Sequence, residues 1–328
     1  MFKNARILLT GGTGSWGTEL TKKLLLYKPK EIRIFSRNEF TQIGMQREFN
    51  HHPSLTFIIG DVRDYLSLES ACQDIDYIFH LAALKHVPIC EGQPDEALKT
   101  NVVGTQNVIR AALAQRVKKV IDVSTDKAAD PVNFYGMTKA LGERLMIRAN
   151  DYSGRTDFVC IRGGNVLGTN GSVVPLFKRF IEKGEDLTLT SKEMTRFFLT
   201  VGEAIDLLLK ASEEALGGEI FVMKMKACNI LDLAEVLIEA MGSSVGIKEI
   251  GIRPGEKLHE VLVSDHEVPY TYLFDSEHYV ILPSHPSEKL ARHYRTYPKA
   301  TFEKYQSNDL LMTKPEIAEL LREGGFIK

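Results

Sequence analysis

Short apolar runs alternate with amphipathic stretches through the first half of the chain. RILLT (6–10), EIRIFS (31–36), LTFIIG (55–60), DYIFHLA (76–82), KKVIDVS (118–124) and DFVCIR (157–162) are dense in Val, Ile and Phe, which predicts buried parallel strands. Between them, GTELTKKLLLY, FTQIGMQREF, LSLESACQ, ALKTNVVGTQNVIRAALAQ and FYGMTKALGERLMIRAN carry apolar residues three and four apart, the spacing of helices with one buried face. Strand and helix in strict alternation predict an α/β fold with a doubly wound parallel sheet. After residue 163 the rhythm loosens: TVGEAIDLLLKASEE, NILDLAEVLIEAM and KPEIAELLREG read as helices. The tail from 264, rich in Tyr, His and Pro, reads as loop. The expected division is a dinucleotide-binding domain over 1–163, also receiving 197–225, and a smaller C-terminal substrate domain over 164–328, its tail after 265 unassigned.

Composition changes this picture little. A chain of 328 residues, 44% hydrophobic, 26% charged and of net charge -2, suits a soluble enzyme and gives no electrostatic case for nucleic acid or an anionic membrane. No run approaches the ~20 apolar residues of a membrane span, and the N-terminus runs straight into a strand, so a cytoplasmic protein is expected. Cys72, Cys90, Cys160 and Cys228 have no zinc spacing and fit free thiols in a reducing compartment. No metal site is expected, since only the adjacent His51 and His52 come close together, in a polar loop.

The chemistry begins in ILLTGGTGSWGTELTKKLL. Gly11, Gly14 and Gly17 fall between the first strand and the first helix, where missing Cβ atoms permit a tight turn, let backbone amides approach a pyrophosphate and let the helix pack closely. Thr10, Gly11, Gly14, Ser15, Trp16 and Gly17 are therefore the candidate cofactor contacts here. Trp16, the only tryptophan, reads either as a lid over the cofactor phosphates or as plain helix-to-sheet packing. The second strand ends in Ser36, Arg37 and Asn38 with no acid to bind a ribose 2′-hydroxyl. Donors and a positive charge suit a 2′-phosphate, which favours NADP over NAD, unless Arg37 is an ordinary surface arginine. Asp61 and Val62 follow the third strand, where an adenine edge could be read. Ala82, after the fourth, is small where backbone must pass the cofactor.

STDKAADPVNFYGMTK carries the most. Tyr135 and Lys139 lie one helical turn apart, so the ammonium and a nicotinamide charge can lower the phenol pKa, while Thr125 can hydrogen-bond a hydroxyl being oxidised. That is the pattern of the short-chain dehydrogenase/reductase superfamily. Asp126 and Lys127 add an acid and a base that plain dehydrogenation does not need. Elimination of water needs both: a C4 ketone makes the C5 hydrogen acidic, and a departing C6 hydroxyl must be protonated. A surface ion pair is the alternative, and the place directly after Thr125 favours catalysis. The Lys127 pKa would then have to fall, through desolvation and the Lys139 charge.

TGGTGSWG, SRNE, GDVRD, AALKHVP, STDKAADPVNFYGMTK, RGGNVLGTNGSVVP, MTRFF and RPGEKLHE, in this order over about residues 5–265, resemble the UDP-N-acetylglucosamine 4,6-dehydratases of the extended short-chain dehydrogenase/reductase superfamily. The resemblance implies a Rossmann domain and a UDP-N-acetylglucosamine or related UDP-sugar substrate, and it suggests a bacterial surface glycan as the pathway. It implies that Asn165, Gly171, Ser172 and Val173 hold the UDP-sugar and that Thr195 and Arg196 lie near the nucleotide. Arg253 would meet the diphosphate, Glu256 the uridine ribose, and Lys85 would sit between cofactor and substrate. Homo-oligomers are usual in the superfamily. Met137 and Gly163 depart from the family pattern near the sugar site, which leaves three products open: a 4-keto-6-deoxy sugar, its C5 epimer or a 5,6-ene. A UDP-hexose 4-epimerase would share all but the Asp126/Lys127 pair, and a non-catalytic NADP-binding regulator would need neither Tyr135 nor Lys139.

Overall fold

The structure is a computed structural model, and it describes residues 1–168 and 172–328. Six runs form strands where the hydrophobic pattern puts them: β1 (Arg6–Thr10), β2 (Glu31–Ser36), β3 (Leu55–Ile59), β4 (Tyr77–His80), β5 (Lys119–Thr125) and β6 (Asp157–Gly163). They pair in parallel in the order β3-β2-β1-β4-β5-β6, the doubly wound arrangement in which ligands bind beyond the carboxyl ends of the strands. Helices α1 (Ser15–Leu26), α2 (Glu39–Glu48), α3 (Tyr65–Ala71), α4 (Val87–Gly92), α5 (Pro94–Leu98), α6 (Gly104–Ala114) and α7 (Phe134–Tyr152) make the crossovers. Leu8, Ile78, Val120 and Phe158 anchor one face of the sheet, and Ile7, Leu9, Phe79, Ile121 and Val159 the other.

The helix read from ALKTNVVGTQNVIRAALAQ is present and contains an irregular turn. Residues Lys99–Val103 form a π-helical turn between α5 and α6. A Cβ on Gly104 would lie 2.7 Å from Val62 Cγ2, so α6 meets the end of β3 only because that position is glycine.

The main sheet has nine strands, and the last three come from outside residues 1–163. Ile220–Met223 pairs in parallel with β6. His278–Ile281 and Thr271–Leu273 extend the sheet antiparallel. The tail is therefore not the loop its composition suggested: its strands are three and four residues long, too short to display a period, and are completed by pairing. Phe197–Leu199, the start of the 197–225 segment expected with the first domain, belongs to a strand, Thr195–Leu199, that pairs with Lys226–Asn229 and Asn165–Val166 in a small separate sheet. Beside it Val174, Phe177, Ile181, Leu233, Leu237, Ile317 and Leu321 close a second core from helices Val173–Lys183, Ile230–Ala240 and Lys314–Glu323. Among the described residues no helix is long and apolar enough to cross a membrane.

Candidate active site

The glycine turn is shaped partly by the protein and partly for something else. Gly11 has φ +68°, and a Cβ there would stand 2.8 Å from Ala82 Cα and N; at Gly17 it would stand 2.2 Å from Gly12 O. Both glycines are thus required for the turn to lie against the β4 loop and under α1. Gly14 is different. Its φ of −76° suits any residue, and its nearest neighbour is 3.5 Å away, so nothing in the chain demands glycine there. It is exposed and heads α1 without a side-chain cap. The bare backbone and unsatisfied N–H groups make a cradle that fits a pyrophosphate.

Trp16, partly buried, packs with the cluster of Val166, Leu199 and Ala204 and joins α1 to the second half of the chain, the contact that the packing reading expects. Thr10 is buried, its Oγ 2.7 Å from His80 Nδ1; burial holds that imidazole neutral, down to about 3.

At the end of β2 the three candidate donors part company. Ser36 is buried and its Oγ accepts from Gln42 Nε2 at 3.0 Å, while Asn38 Oδ1 caps α2 by accepting from Thr41 N at 3.2 Å. Both side chains are engaged with α2. Arg37 is half exposed, with Nη1 3.8 Å from Asp61 Oδ2. Asp61 is held by Arg63 at 2.6 and 2.8 Å. Burial pushes its carboxyl up, and the Arg63 hydrogen bonds outweigh that, leaving it below its ordinary value. Val62 turns its side chain into the core and its carbonyl accepts from Asn107 Nδ2 at 2.9 Å, so only its main chain could read an adenine edge.

The catalytic candidates converge. Thr125 ends β5 and caps the single turn Asp126–Ala128; its Oγ donates to Asp126 Oδ1 at 2.9 Å. Asn133 caps α7, accepting from Gly136 N at 2.8 Å and donating to Gly255 O at 2.8 Å. A Cβ on Gly136 would lie 2.2 Å from Lys127 O, so this glycine lets the start of α7 press on the Asp126–Ala128 turn. Tyr135 is thereby held beside Thr125, which hydrogen-bonds its phenol.

Ionisation depends on more than the expected neighbours. Burial pushes the Tyr135 phenol up; Lys139 pulls it down as expected, with Lys127 and the Thr125 bond, but burial outweighs them. Lys139 cannot act alone, because its ammonium faces both oxygens of the buried Asp122 at 3.3 Å. Lys127 lies 3.0 Å from Asp126 Oδ1 and 3.3 Å from Glu260 Oε1. Burial lowers its pKa, but the two carboxylates more than compensate, so it is raised and the amine is an ammonium. Asp126 is fully buried, and burial raises its pKa despite Lys127, which suits a proton donor.

Asp122 and Glu260 were missed. Asp122 carried a signal, an acid inside a run read as a buried strand, which requires a buried cation. Glu260 carried none: it ends RPGEKLHE and meets Lys127 only through the fold.

The substrate candidates also divide. Thr195 is buried, its Oγ 2.8 Å from His259 Nδ1 and 2.7 Å from Ser307 Oγ. Arg196 donates to the carbonyls of Thr195, Leu258 and Lys257 at 2.7, 3.1 and 2.9 Å. Neither presents its side chain to a nucleotide; they fix the segment that carries Glu260. Arg253 is exposed, in a turn where its N–H donates to Glu256 Oε2 at 3.3 Å, so Glu256 already has one donor. Gly255, at φ +76°, latches that turn to the α7 cap. Lys85 is in a loop held by Asn101, which bonds both Leu84 N and O, and burial of its ammonium lowers its pKa. Asn165 lies in the short strand after β6. Ser172 caps Val173–Lys183 with its Oγ buried and without a partner among the described residues, and Val173 packs on the second core. Gly171 lies outside the described residues.

A doubly wound sheet with a glycine turn and a Thr–Tyr–Lys group at its carboxyl edge is an extended short-chain dehydrogenase/reductase fold. The chain belongs to the family described as polysaccharide biosynthesis protein, whose model matches residues 7–281. It is 46% identical over 288 residues to a protein of Campylobacter jejuni named UDP-N-acetylglucosamine 4,6-dehydratase (inverting), covering 87% of this chain and 84% of that one. It is also 46% identical, over 82% of this chain and 80% of the other, to a protein of Rickettsia typhi named UDP-glucose 4-epimerase. The solved structure of Pen from Bacillus thuringiensis superposes with a TM-score of 0.90 at 39% identity, covering 98% and 99% of the two chains.

Proposed function

We propose that the chain is a UDP-N-acetylglucosamine 4,6-dehydratase, a hydro-lyase working with a tightly held NADP. The observation that carries this reading is the buried Asp126–Lys127–Glu260 group against Thr125 and Tyr135, since an acid and an amine beside the oxidation site serve elimination and nothing simpler. Arg37, the exposed cation at the end of a strand with no acid, supports NADP over NAD, and Arg253 supports a diphosphate. Four free cysteines support a reducing, cytoplasmic setting. Exposed Leu98 and Leu141, on the packed helices α5 and α7, support a homo-oligomer.

When bound, the nicotinamide takes the C4 hydrogen with its electron pair and later returns it. Tyr135 takes the proton of the 4-hydroxyl. Thr125, bonded to the phenol and donating to Asp126, offers that proton a path to the acid. Asp126 protonates the C6 hydroxyl, which leaves as water, while Lys127 takes the C5 proton. The Campylobacter relative's name favours C5 inversion in the product.

Proton NMR of UDP-N-acetylglucosamine with the protein in D2O tests this. A C6 methyl with deuterium at C5 is the expected result, and an exocyclic methylene would mark the 5,6-ene branch. A C4 epimer with its C5 hydrogen and hydroxymethyl intact would refute dehydration and favour the epimerase.

A further inference from the structure

Lys127 poses a problem that the proposed reaction must solve. To remove the C5 hydrogen its nitrogen needs a free electron pair, yet it is an ammonium between two carboxyl groups, Asp126 and Glu260. One of them suffices to pin an ammonium. The second is Glu260, 3% exposed, with its Oε2 buried and lacking any partner among the described residues, as is Asp126 Oδ2. A buried carboxylate oxygen without a donor is costly, and taking a proton relieves that cost.

Resting on the dehydratase reading above, we propose that Glu260 is the proton holder for Lys127: it takes the ammonium proton as the sugar enters, leaving a neutral amine to act on C5. Before the exchange Asp126 is a neutral acid, Lys127 an ammonium and Glu260 a carboxylate. After it, Asp126 and Glu260 are acids and Lys127 is an amine, with the same net charge. The Lys127 lone pair then takes the C5 proton, the C5–H electrons form the C5=C6 bond, and the C6–O bond breaks as Asp126 gives its proton to the leaving oxygen. The proton Asp126 loses is replaced by the 4-hydroxyl proton through Tyr135 and Thr125; as hydride returns to C6, a proton returns to C5 from the Lys127–Glu260 pair, which leaves Lys127 an ammonium and Glu260 a carboxylate, so the cycle closes without an outside acid.

Several charged and titratable groups face this exchange. Asp126 and Tyr135 stand on the Thr125 side, and Arg196 Nε is 3.6 Å from Glu260 Oε1. Lys257 is near enough to act on Glu260, Asp126 and Asp130. In the free protein Lys127, Arg196 and Lys257 outweigh burial and keep Glu260 ionised. Lys127 retains 20% side-chain exposure, its one remaining contact with water. A sugar covering it removes that hydration, and in a dry site a neutral acid–amine pair gains on an ion pair. Glu260 is also fixed in place. Its N–H donates to Ser307 Oγ and its carbonyl accepts from Ser307 N, both at 2.9 Å, while Arg196 ties down Lys257 and Leu258. Thr195 and Arg196 thus reach the chemistry indirectly, as supports of Glu260.

The test uses the full chain with NADP and UDP-N-acetylglucosamine, comparing wild type, Glu260→Gln and Glu260→Asp. In Glu260→Gln, absorbance of the reduced nicotinamide should still rise on mixing, while release of water falls about 100-fold, the scale of general-base catalysis. That lost rate should recover by about tenfold per pH unit above neutrality, as solvent takes over deprotonation of Lys127, and Glu260→Asp should regain part of it. Isotope-detected NMR of the Lys127 side chain should find its titration lowered in Glu260→Gln. Wild-type water release with an unchanged pH profile, or equal loss of cofactor reduction and elimination at every pH with a lowered Tm, would overturn the proposal. If wild type itself dehydrates no UDP-sugar, the dehydratase reading falls; an unshifted Lys127 titration would by itself overturn the coupling.

Discussion

Gly136→Ala adds one methyl group where the start of α7 touches the Asp126–Ala128 turn. The new Cβ would lie 2.2 Å from Lys127 O, about 0.8 Å inside the 3.0 Å limit of real Cβ contacts, with Pro131 Cβ at 3.2 Å on its other side. The nearest atom is backbone, so no rotamer change relieves it, and either the helix start or the turn must move by nearly 1 Å. Overpacking costs about 1–3 kcal/mol, and replacing a helical glycine by alanine returns about 1 kcal/mol. The net loss of about 0–2 kcal/mol lowers Tm by a few degrees. Activity should suffer far more, because Tyr135 and Lys127 move apart and a misplacement of about 1 Å costs about 10²-fold. The assay is water release by NMR with a Tm measured alongside. Gly44→Ala is the control: it is inside α2 with nothing within 4 Å of the new Cβ, and should be neutral or raise Tm slightly. A Gly136→Ala enzyme with wild-type kcat would refute the claim that this contact sets the spacing of the catalytic groups.

Gly14→Val should fold with an unchanged Tm, because the chain leaves that position open, yet lose at least about tenfold in NADP affinity by fluorescence titration; equal affinity would remove Gly14 from the cradle. Arg162 is buried between Glu143 and Glu267 at 2.7 and 2.9 Å, and Arg162→Met should cost about 3–5 kcal/mol by leaving two buried acids without their cation. Burial pushes the Glu267 carboxyl up and Arg162 more than reverses it, so its folded pKa is depressed. Its contribution is present above the unfolded value near 4.3, and is lost as pH falls through the folded value. Wild-type Tm should therefore drop steeply below about pH 4, and an acid limb identical in Glu267→Gln would contradict that assignment.

Much of the sheet was legible because buried parallel strands announce themselves as apolar runs: RILLT and EIRIFS match β1 and β2 residue for residue. The strands Thr271–Leu273 and His278–Ile281 were not, since their identity lies in what they pair with. In the site, spacing along one helix put Tyr135 and Lys139 together, and sequence adjacency did the same for Thr125, Asp126 and Lys127. What it did not carry was who else is present. Asp126 and, beside it, Glu260 reverse the expected ionisation of Lys127, Asp122 shares Lys139, and α2 occupies Ser36 and Asn38. Arg196, which resemblance places near a nucleotide, is turned inward by three backbone carbonyls. Side-chain type survived as a guide to chemistry, and direction did not.

The pairing of Ile220–Met223 with His278–Ile281 bears on how the chain is made. The strand IFVM is buried on both faces, and until the later strand has been synthesised it is an unpaired apolar edge, a template for association with other chains. Arg162, on the neighbouring β6, meanwhile waits for Glu267 with a single acid beside it. A nascent chain that has completed its cofactor half is therefore still adhesive and carries an under-neutralised interior cation. Release from that state comes only when the ribosome has passed residue 281, which makes the late segment 267–281 the step that governs solubility during synthesis and the place where expression of truncated or fused forms should fail first.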